Sequence, residues 1–324
     1  MSGLACIFLA GFGSVWCEQR DDAPAVAAGF ELGASASTDL GRTPIKIHVN
    51  SDLVVIPVTV TDGKGRVVNG LQKEHFALFE DKVEQKITHF ASEDAPASIG
   101  LVFDTSDSMV PKLQKAREAV AALLKNANPE DEFFLTQFND RAELVVKLTT
   151  QTEEILKRLA MMQTAGTTAM LDAVMVALNE MKNAHHTRKA IIIISDGEDN
   201  ASHCSVGELK EAVRNADVLI YAIGLVPSGA SAQGWPPQRP TGSALLNEIA
   251  TQTGGRLFEV NKVKQLPDIA SKINAWLRNQ YVLAYMSSNE KHVSYHHIQV
   301  KITKPSGFPP LHALWRLGYY APAE

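Results

Sequence analysis

The sequence predicts an α/β protein in which a Rossmann-like, doubly wound domain is flanked by a β-sandwich-like unit. Between about residues 96 and 280, short β-branched runs alternate with helical patterns, which is typical of a parallel sheet covered by helices on both faces. On either side, at 45–95 and 281–322, the pattern is β alone. The chain has 324 residues, of which 45% are hydrophobic and 21% charged, so it is long and apolar enough to form both parts.

The first 44 residues carry no clear period. An apolar stretch of 13 residues from Leu4 to Trp16 resembles the apolar region of a secretory signal, although it lacks the usual positive leader, and we interpret 1–17 as a signal peptide. Residues 18–44 are rich in Ala, Gly, Ser and Asp, which indicates a flexible linker. This interpretation predicts an exported protein, periplasmic or extracellular. The apolar stretch is short for a membrane span, and we expect none in the mature chain.

The N-terminal β segment, 45–95, begins with a strand at 53–61 and a turn at 62–65. Pro57 lies inside this strand, which indicates an edge strand or a bulge, because proline cannot donate a ladder hydrogen bond. Two further runs, 77–83 and 85–90, are expected to pair with each other. About 50 residues of β structure make a marginal core alone, so we expect the segment to pack against another one.

The central domain, 96–280, contains six predicted strands and six predicted helices. The second and third strands are separated by two residues only, which predicts an antiparallel hairpin at the sheet edge. The first strand is followed by Asp-Thr-Ser-Asp-Ser instead of a glycine-rich loop, so nucleotide binding is not expected. The predicted strands are 98–104, 132–139, 142–148, 189–195, 217–224 and 256–260. The predicted helices are 111–127, 151–162, 168–183, 205–215, 242–253 and 265–279.

The C-terminal β segment, 281–322, supplies the partner that the N-terminal segment needs. Strands are predicted at 281–286, 296–303 and 311–319. Together with 45–95 they would form one β unit, and the central domain would be an insert into it.

Three short polar segments are expected to meet at one edge of the central sheet. They are Asp104 to Ser108, Gly166 to Thr168, and Ile194 to Gly197. The first and third follow buried apolar strands, and the carboxyl ends of parallel strands are where ligands bind in an open α/β sheet. We expect Asp104 and Asp196 to lie at the surface of this edge, so that their replacement by alanine leaves the fold intact.

The side chains of these segments favour a hard cation. The candidate ligands are all oxygen groups, two carboxylates and three hydroxyls, from Asp104, Ser106, Ser108, Thr168 and Asp196. Oxygen-only ligation predicts Mg²⁺, with Mn²⁺ or Ca²⁺ as alternatives. Hydroxyl ligands leave the ion under-neutralised, so it would still attract an acidic group from outside the protein.

At these five residues the chain resembles the von Willebrand factor type A (VWFA) domain and its metal-ion-dependent adhesion site (MIDAS). The family pattern is Asp-x-Ser-x-Ser, a distant Thr after a Gly, and an Asp in a Thr/Ser-Asp-Gly turn, and all five positions match. Two positions depart from it. Asp107 stands where relatives commonly have Gly, and Thr167, also often Gly, is a weaker rival of Thr168 as ligand.

The flanking β segments resemble the VWFA-related proteins that are abundant in Acidobacteria. The similar stretches are Val55 to Asp62, Gly70 to Asp81, Tyr281 to Tyr285, and Gly318 to Pro322, so the resemblance covers about 45–322. It implies an exported bacterial protein of the cell envelope.

We expect a non-enzymatic module, an adhesion or scaffold protein that binds a protein partner through an Asp or Glu donated to the ion. The alternatives are a metal-dependent hydrolase, which would need a general base beside the ion, or an ion that only stiffens the loops. No catalytic residues are assigned. Nucleic acid is not an expected partner, because 31 Lys and Arg stand against 36 Asp and Glu, a net charge of −5.

The polar residues around the three segments are expected to have structural functions. Asp172, on the helix after Thr168, is expected to cap or orient that helix, or to support the ion ligands without being a ligand itself. Glu198, Asp199 and Asn200, which follow the Asp196 turn, are expected to form a solvated loop.

Overall fold

The computed structural model describes residues 53–92, 94–196, 199–225, 242–260, 262–287 and 294–321. All of them belong to one unit, Asn50–Glu324. The signal peptide and linker predicted at 1–17 and 18–44 lie outside the described residues, as do Gly197 and Glu198. The strands are β1 (Leu53–Asp62), β2 (Phe76–Glu80), β3 (Val83–Gln85), β4 (Ile87–Ala91), β5 (Ala97–Asp104), β6 (Glu132–Phe138), β7 (Ala142–Thr149), β8 (Arg188–Ser195), β9 (Leu219–Gly224), β10 (Leu257–Glu259), β11 (Gln280–Met286), β12 (Tyr295–Ile302), β13 (Leu311–Trp315) and β14 (Gly318–Tyr320). The helices are α1 (Leu113–Lys125), α2 (Thr152–Met161), α3 (Met170–Glu180), α4 (Val206–Asn215), α5 (Gly242–Thr253) and α6 (Leu266–Arg278).

Six strands form the central sheet in the order β10-β9-β8-β5-β6-β7. All neighbours are parallel except β6 and β7, which form the antiparallel edge hairpin that the sequence predicts. β5 and β9 are buried along their whole length, because both sheet faces are covered. The chain leaves β5 toward β6 and later returns to β5's other side as β8, so the strand order reverses between β5 and β8. This reversal is the point at which open α/β sheets bind ligands.

Helices cover both faces of this sheet. On one face α1, α2 and α6 pack against side chains such as Leu101 and Phe103. On the other face α3, α4 and α5 pack against side chains such as Val102 and Ile193. Alternate residues of β5 therefore enter different cores, as the two-residue period of a strand requires.

Two four-stranded antiparallel sheets form the flanking β unit, with a core of their own. Their orders are β13-β1-β11-β4 and β14-β12-β2-β3. In each sheet, strands that precede the central domain pair with strands that follow it, as β1 does with β11 and β2 with β12. The predicted fold class, a doubly wound domain with a β-sandwich-like unit, is therefore confirmed.

The pairing expected within the N-terminal segment is partly wrong. β2 pairs with the short β3, but β4 lies in the other sheet beside β11. The reason is a two-residue turn at Asp81 and Lys82, whose φ angles are 47° and 71°. Positive φ at both central residues is typical of a tight hairpin turn that normally uses Asn-Gly, so Asp-Lys is a weak signal for such a turn.

Two further details correct the strand predictions. The run expected as one strand at 311–319 is divided into β13 and β14, which belong to different sheets. Pro57 lies in an inner strand, but β13 pairs only with Val58 to Asp62, so within the described chain Pro57 has a neighbouring strand on the β11 side alone. Pro57 is thus tolerated where β1 is locally an edge.

No helix in the described ranges is both long and apolar enough to cross a membrane.

Candidate metal centre

The carboxyl ends of β5 and β8 bring the two aspartates together. Phe103 lies beside Ile194 in the parallel register, so Asp104 and Ser195 end neighbouring strands. The Ser195 hydroxyl donates to Asp104 Oδ2 over 2.6 Å, and the amide of Ser106 donates to Asp104 Oδ1 over 2.9 Å. Asp104 is fully buried, so the expectation that it lies at the surface is wrong. It forms the base of the site.

Burial raises the pKa of Asp104. Hydrogen bonds from Ser106 and Ser195 oppose this shift, while the negative charge of nearby Asp196 adds to it. Two carboxylates therefore share a poorly solvated space, an arrangement that a cation would stabilise.

Two hydroxyls stand next to Asp104 at a spacing that suits a small cation. Ser106 Oγ and Ser108 Oγ are 3.1 Å apart. Neighbouring ligands of an octahedral ion with Mg²⁺-like bonds of about 2.1 Å lie about 3.0 Å apart. Ser106 is buried and Ser108 is exposed, so this side of the site opens to solvent.

Backbone hydrogen bonds attach the Thr168 segment to the Asp104 loop. The amide of Asp107 donates to the carbonyl of Gly166 over 3.1 Å, and that of Ala165 donates to the carbonyl of Thr105 over 2.9 Å. Gly166 has φ +79°, and a Cβ there would lie 2.4 Å from Asp140 Oδ1. The positive φ angle therefore favours glycine, and a side chain here would also displace the Asp140 carboxylate.

Thr167, the rival ligand, is hydrogen-bonded to Asp140. The amide and the hydroxyl of Thr167 both donate to Asp140 Oδ1, over 2.7 and 2.5 Å, and these bonds lower the pKa of Asp140. Thr167 is exposed, whereas Thr168 is buried beside the other two segments. The geometry thus favours Thr168 as the ligand.

The residues after Asp196 hold the Thr168 segment in place. Asn200 Oδ1 accepts from the Thr168 amide over 2.9 Å, and the Asn200 amide donates to the Thr168 carbonyl over 3.0 Å. Asp199 Oδ1 accepts from the amides of Met170 and Leu171, at 2.8 and 3.2 Å. Asp199 thereby caps α3 from a distant loop. Asn200 is exposed and Asp199 is half-buried, so this loop reaches solvent as expected, but both side chains also hold the Thr168 segment in place. Glu198 lies outside the described residues.

Asp172 orients the same region from α3. Its carboxylate accepts hydrogen bonds from the amides of His203 and Cys204. Burial raises the pKa of Asp172, but these bonds outweigh that effect and lower it overall. Asp172 is therefore tied to the loop that precedes α4.

Asp196 is paired with a residue that the sequence analysis did not single out. Lys112 Nζ lies 3.0 Å from Asp196 Oδ2, and the two side chains are only 13% and 7% exposed. The other oxygen, Asp196 Oδ1, is buried and receives no hydrogen bond from the described part of the chain. A buried carboxylate oxygen without a donor is a vacant acceptor of the kind that a cation or its bound water fills.

The residues present thus fit a divalent cation. Two carboxylates and the three hydroxyls of Ser106, Ser108 and Thr168 belong to segments that hydrogen bonds draw together, and one carboxylate oxygen has no donor among the described residues. Within the described residues no three His, Cys, Asp or Glu side chains cluster as a metal site would. The set relies on hydroxyls instead, which suit hard ions.

Lys112, Asp140 and Ser195 were missed at the sequence level for different reasons. Lys112 comes four residues after Ser108, at the start of α1, where a lysine looks like an ordinary surface residue. Asp140 lies in a hairpin turn, where Asp is common for local reasons. Ser195 directly precedes Asp196, and its position at the strand end was the available signal.

Comparison with known proteins agrees with this architecture. The family model for the von Willebrand factor type A domain matches residues 98–272, more than half of the chain. A Borreliella burgdorferi protein described as uncharacterized is 26% identical over 208 residues, which are 57% of this chain and 60% of the relative. Inter-alpha-trypsin inhibitor heavy chain 4 of Mus musculus is 24% identical over 236 residues, which are 66% of this chain and 24% of the relative. The chain thus spans less than two thirds of either relative.

Two solved structures show a weaker similarity to this chain. A von Willebrand factor type A structure from Catenulispora acidiphila matches with a TM-score of 0.48 and 13% identity, over 84% of this chain and 74% of that one. BatB from Bacteroides thetaiotaomicron matches with a TM-score of 0.43 and 19% identity, over 55% of this chain and 97% of that one. On the match of the family model, the chain belongs to the von Willebrand factor type A domain family.

Proposed function

We propose that the protein is a non-enzymatic, divalent-cation-dependent protein-binding module of the adhesion or scaffold type. Its ion, Mg²⁺ before Mn²⁺ or Ca²⁺, is held by a MIDAS-type set, namely Asp104, Ser106, Ser108, Thr168 and Asp196. The partner protein donates an Asp or Glu carboxylate to the ion. The observation that carries the proposal is the buried Asp196 Oδ1, which has no hydrogen-bond donor in the described chain. It lies near the carboxylate of Asp104 and near the segments that carry the three hydroxyls.

The exposure of the site supports docking rather than a closed structural ion. Asp104 and Ser106 form a buried base, while Ser108 and Asp107 are exposed on the rim. An ion held between them is protected from below and accessible from outside. Its neutral hydroxyl ligands add no negative charge, so an open position on the ion would still accept a carboxylate oxygen, the kind of ligand that hard cations prefer.

Among the described residues, which do not include Glu198, the contacts of the site give hydrolysis little support. Hydrolysis needs a general base beside the ion. None of the hydrogen bonds that described residues make to the five candidate ligands comes from a His or a Glu. Family membership also favours binding as the function.

We also place the protein outside the cytoplasm, in the periplasm or the extracellular space. This part of the proposal rests on the apolar stretch from Leu4 to Trp16 and on the resemblance of the flanking segments to exported bacterial relatives.

Calorimetric titration of MgCl₂ and MnCl₂ into the full chain tests the site. We expect Asp104→Asn and Asp196→Ala each to abolish binding. Asn is chosen at position 104 because its amide can keep bonds to Ser106 and Ser195 while the charge is lost. Glu130→Ala is the control, since it removes an exposed carboxylate that lies outside the three segments of the site. It should change the dissociation constant by no more than about twofold, as expected of an exposed charge. Undiminished binding in Asp104→Asn or Asp196→Ala would contradict the assignment.

Capture from cell-envelope extracts tests the partner. The wild-type chain with Mg²⁺ should retain a partner that is lost with chelator and lost with Thr168→Ala. A partner that survives both treatments docks elsewhere, and the cation-bridged mechanism would be wrong for it.

A further inference from the structure

The Lys112 ammonium lies where it would compete with a divalent ion for the Asp196 carboxylate. Its Nζ lies 3.0 Å from Asp196 Oδ2, while Asp196 is one of the five proposed ion ligands. Both side chains are largely buried, so water screens their charges poorly. A cation is thus already present at the site, and the chain itself provides it.

Helix stability does not explain this position. Lys112 is the residue that precedes the first turn of α1, and its side chain makes no capping hydrogen bond there. The amino end of a helix carries partial positive charge, which disfavours a lysine. The ion pair with Asp196 is the favourable contact that the described structure offers to the Lys112 ammonium.

The charges of the site favour exchange over joint occupancy. Asp104 and Asp196 carry two negative charges when ionised, so Lys112 alone leaves the site negative. A divalent ion alone neutralises it, whereas the ion and the ammonium together leave it positive. The pairing is also incomplete, because Asp196 Oδ1 remains without a donor in the described chain. A buried pair of this kind costs desolvation that its attraction only partly repays.

Lys112 has a route out of the site. Its neighbours Val110 and Pro111 are exposed, so a flexible four-carbon side chain that bends toward them would bring its ammonium to solvent. The backbone around it is held separately, since the Lys112 amide donates to the carbonyl of Met109 and the Lys112 carbonyl accepts from Ala116. The Lys112 side chain could therefore move while its backbone keeps its position.

We propose that Lys112 is a tethered cation that occupies Asp196 in the ion-free protein and must be displaced when the divalent ion binds. This inference rests on the proposed function and adds its regulation. Lys112 weakens ion binding, so the site is loaded only above a threshold of free ion. It also offsets one of the two negative charges of the buried carboxylates when no ion is present.

Titration of MgCl₂ into the full chain tests the inference with charge-neutral variants. Lys112→Met removes the competitor and leaves Asp196 unpaired in the ion-free state. We expect it to lower the Mg²⁺ dissociation constant about tenfold or more, equivalent to about 1.4 kcal/mol. Lys115→Met is the matched control, because Lys115 lies on the same helix and pairs with the half-exposed Glu118 instead. It should stay within about twofold of wild type.

A second measurement covers the case in which Lys112→Met folds poorly. Lys112→Gln keeps a donor for Asp196 without the charge, and its binding should also tighten. The melting temperature of either variant should fall without ion and rise more than that of wild type when MgCl₂ is added.

The outcomes separate this inference from the proposed function. If wild type binds Mg²⁺ through Asp104 and Asp196 but Lys112→Met and Lys112→Gln bind no more tightly, the tethered-cation role is wrong and the binding site stands. If only the Lys112 variants bind, the tethered-cation role is supported and the wild-type site is held closed. If none of them binds, both proposals are wrong.

Discussion

Single side chains after Asp196 determine how two loops of the site meet. Asn200 bonds to both sides of the Thr168 peptide, and Asp199 caps the helix that Thr168 precedes. Substitution of either residue would therefore alter the position of Thr168, although neither residue is a proposed ion ligand. Local patterns could not show this, because Asp and Asn are common in loops for many reasons and their partners here lie about 30 positions earlier in the chain.

Asp199→Ala tests this function at the residue scale. The change frees the amides of Met170 and Leu171 at the start of α3, and loss of such a cap costs about 0.5–2 kcal/mol. We expect the free energy of unfolding in urea to fall by about that amount. Asp107→Ala, also a loop carboxylate but an exposed one, should change it by less than about 0.5 kcal/mol. Equal effects of the two variants would contradict the capping assignment.

One buried glutamate links elements of the central sheet at the edge opposite the ion site. Glu132, at the start of β6, accepts from the Ser98 hydroxyl of β5 over 2.6 Å and from the His185 amide over 2.7 Å. His185 precedes β8, so a single carboxylate links three neighbouring strands. The three strands could be predicted from apolar runs, whereas this polar link depends on residues 34 and 53 positions apart and could not.

The pH dependence of stability tests that link. Burial raises the pKa of Glu132, but the hydrogen bonds from Ser98 and His185 outweigh it, and the pKa lies below the ordinary value of 4.5. A lowered carboxyl pKa stabilises the fold above pH 4.5, and that contribution is lost as the pH falls through the folded-state value. Because the side chain is 8% exposed, we expect Glu132→Gln to lower the free energy of unfolding at pH 7 by about 1–3 kcal/mol.

The difference between wild type and Glu132→Gln should shrink toward pH 3. Glu130→Gln is the control, since Glu130 is exposed two residues earlier and should show little effect at either pH. A wild-type to Glu132→Gln difference that is constant from pH 7 to pH 3 would show that the ionised carboxylate is not the stabilising group.

At the scale of the whole molecule, the doubly wound domain was predictable because its strands are nearly continuous apolar runs separated by amphipathic helices. The flanking unit was predictable only as β structure. Which strands pair in it depends on the tight turn at Asp81 and Lys82 and on the division of 311–319, neither of which has a strong local signal. The five candidate ligands could be proposed because strand ends converge by topology. The function of Lys112 could not be predicted, because it depends on a contact with Asp196, which lies 84 positions later in the chain.

The central claim is that a divalent ion binds at the carboxyl edge of β5 and β8. Anomalous diffraction from crystals of the full chain soaked in MnCl₂ tests it most directly. We expect one anomalous peak bounded by the proposed ligands, with Lys112 Nζ moved away from Asp196. The bounding residues should be Asp104, Ser106, Ser108, Thr168 and Asp196. A saturating soak that leaves this edge without a peak, with Lys112 still bonded to Asp196, would contradict the account.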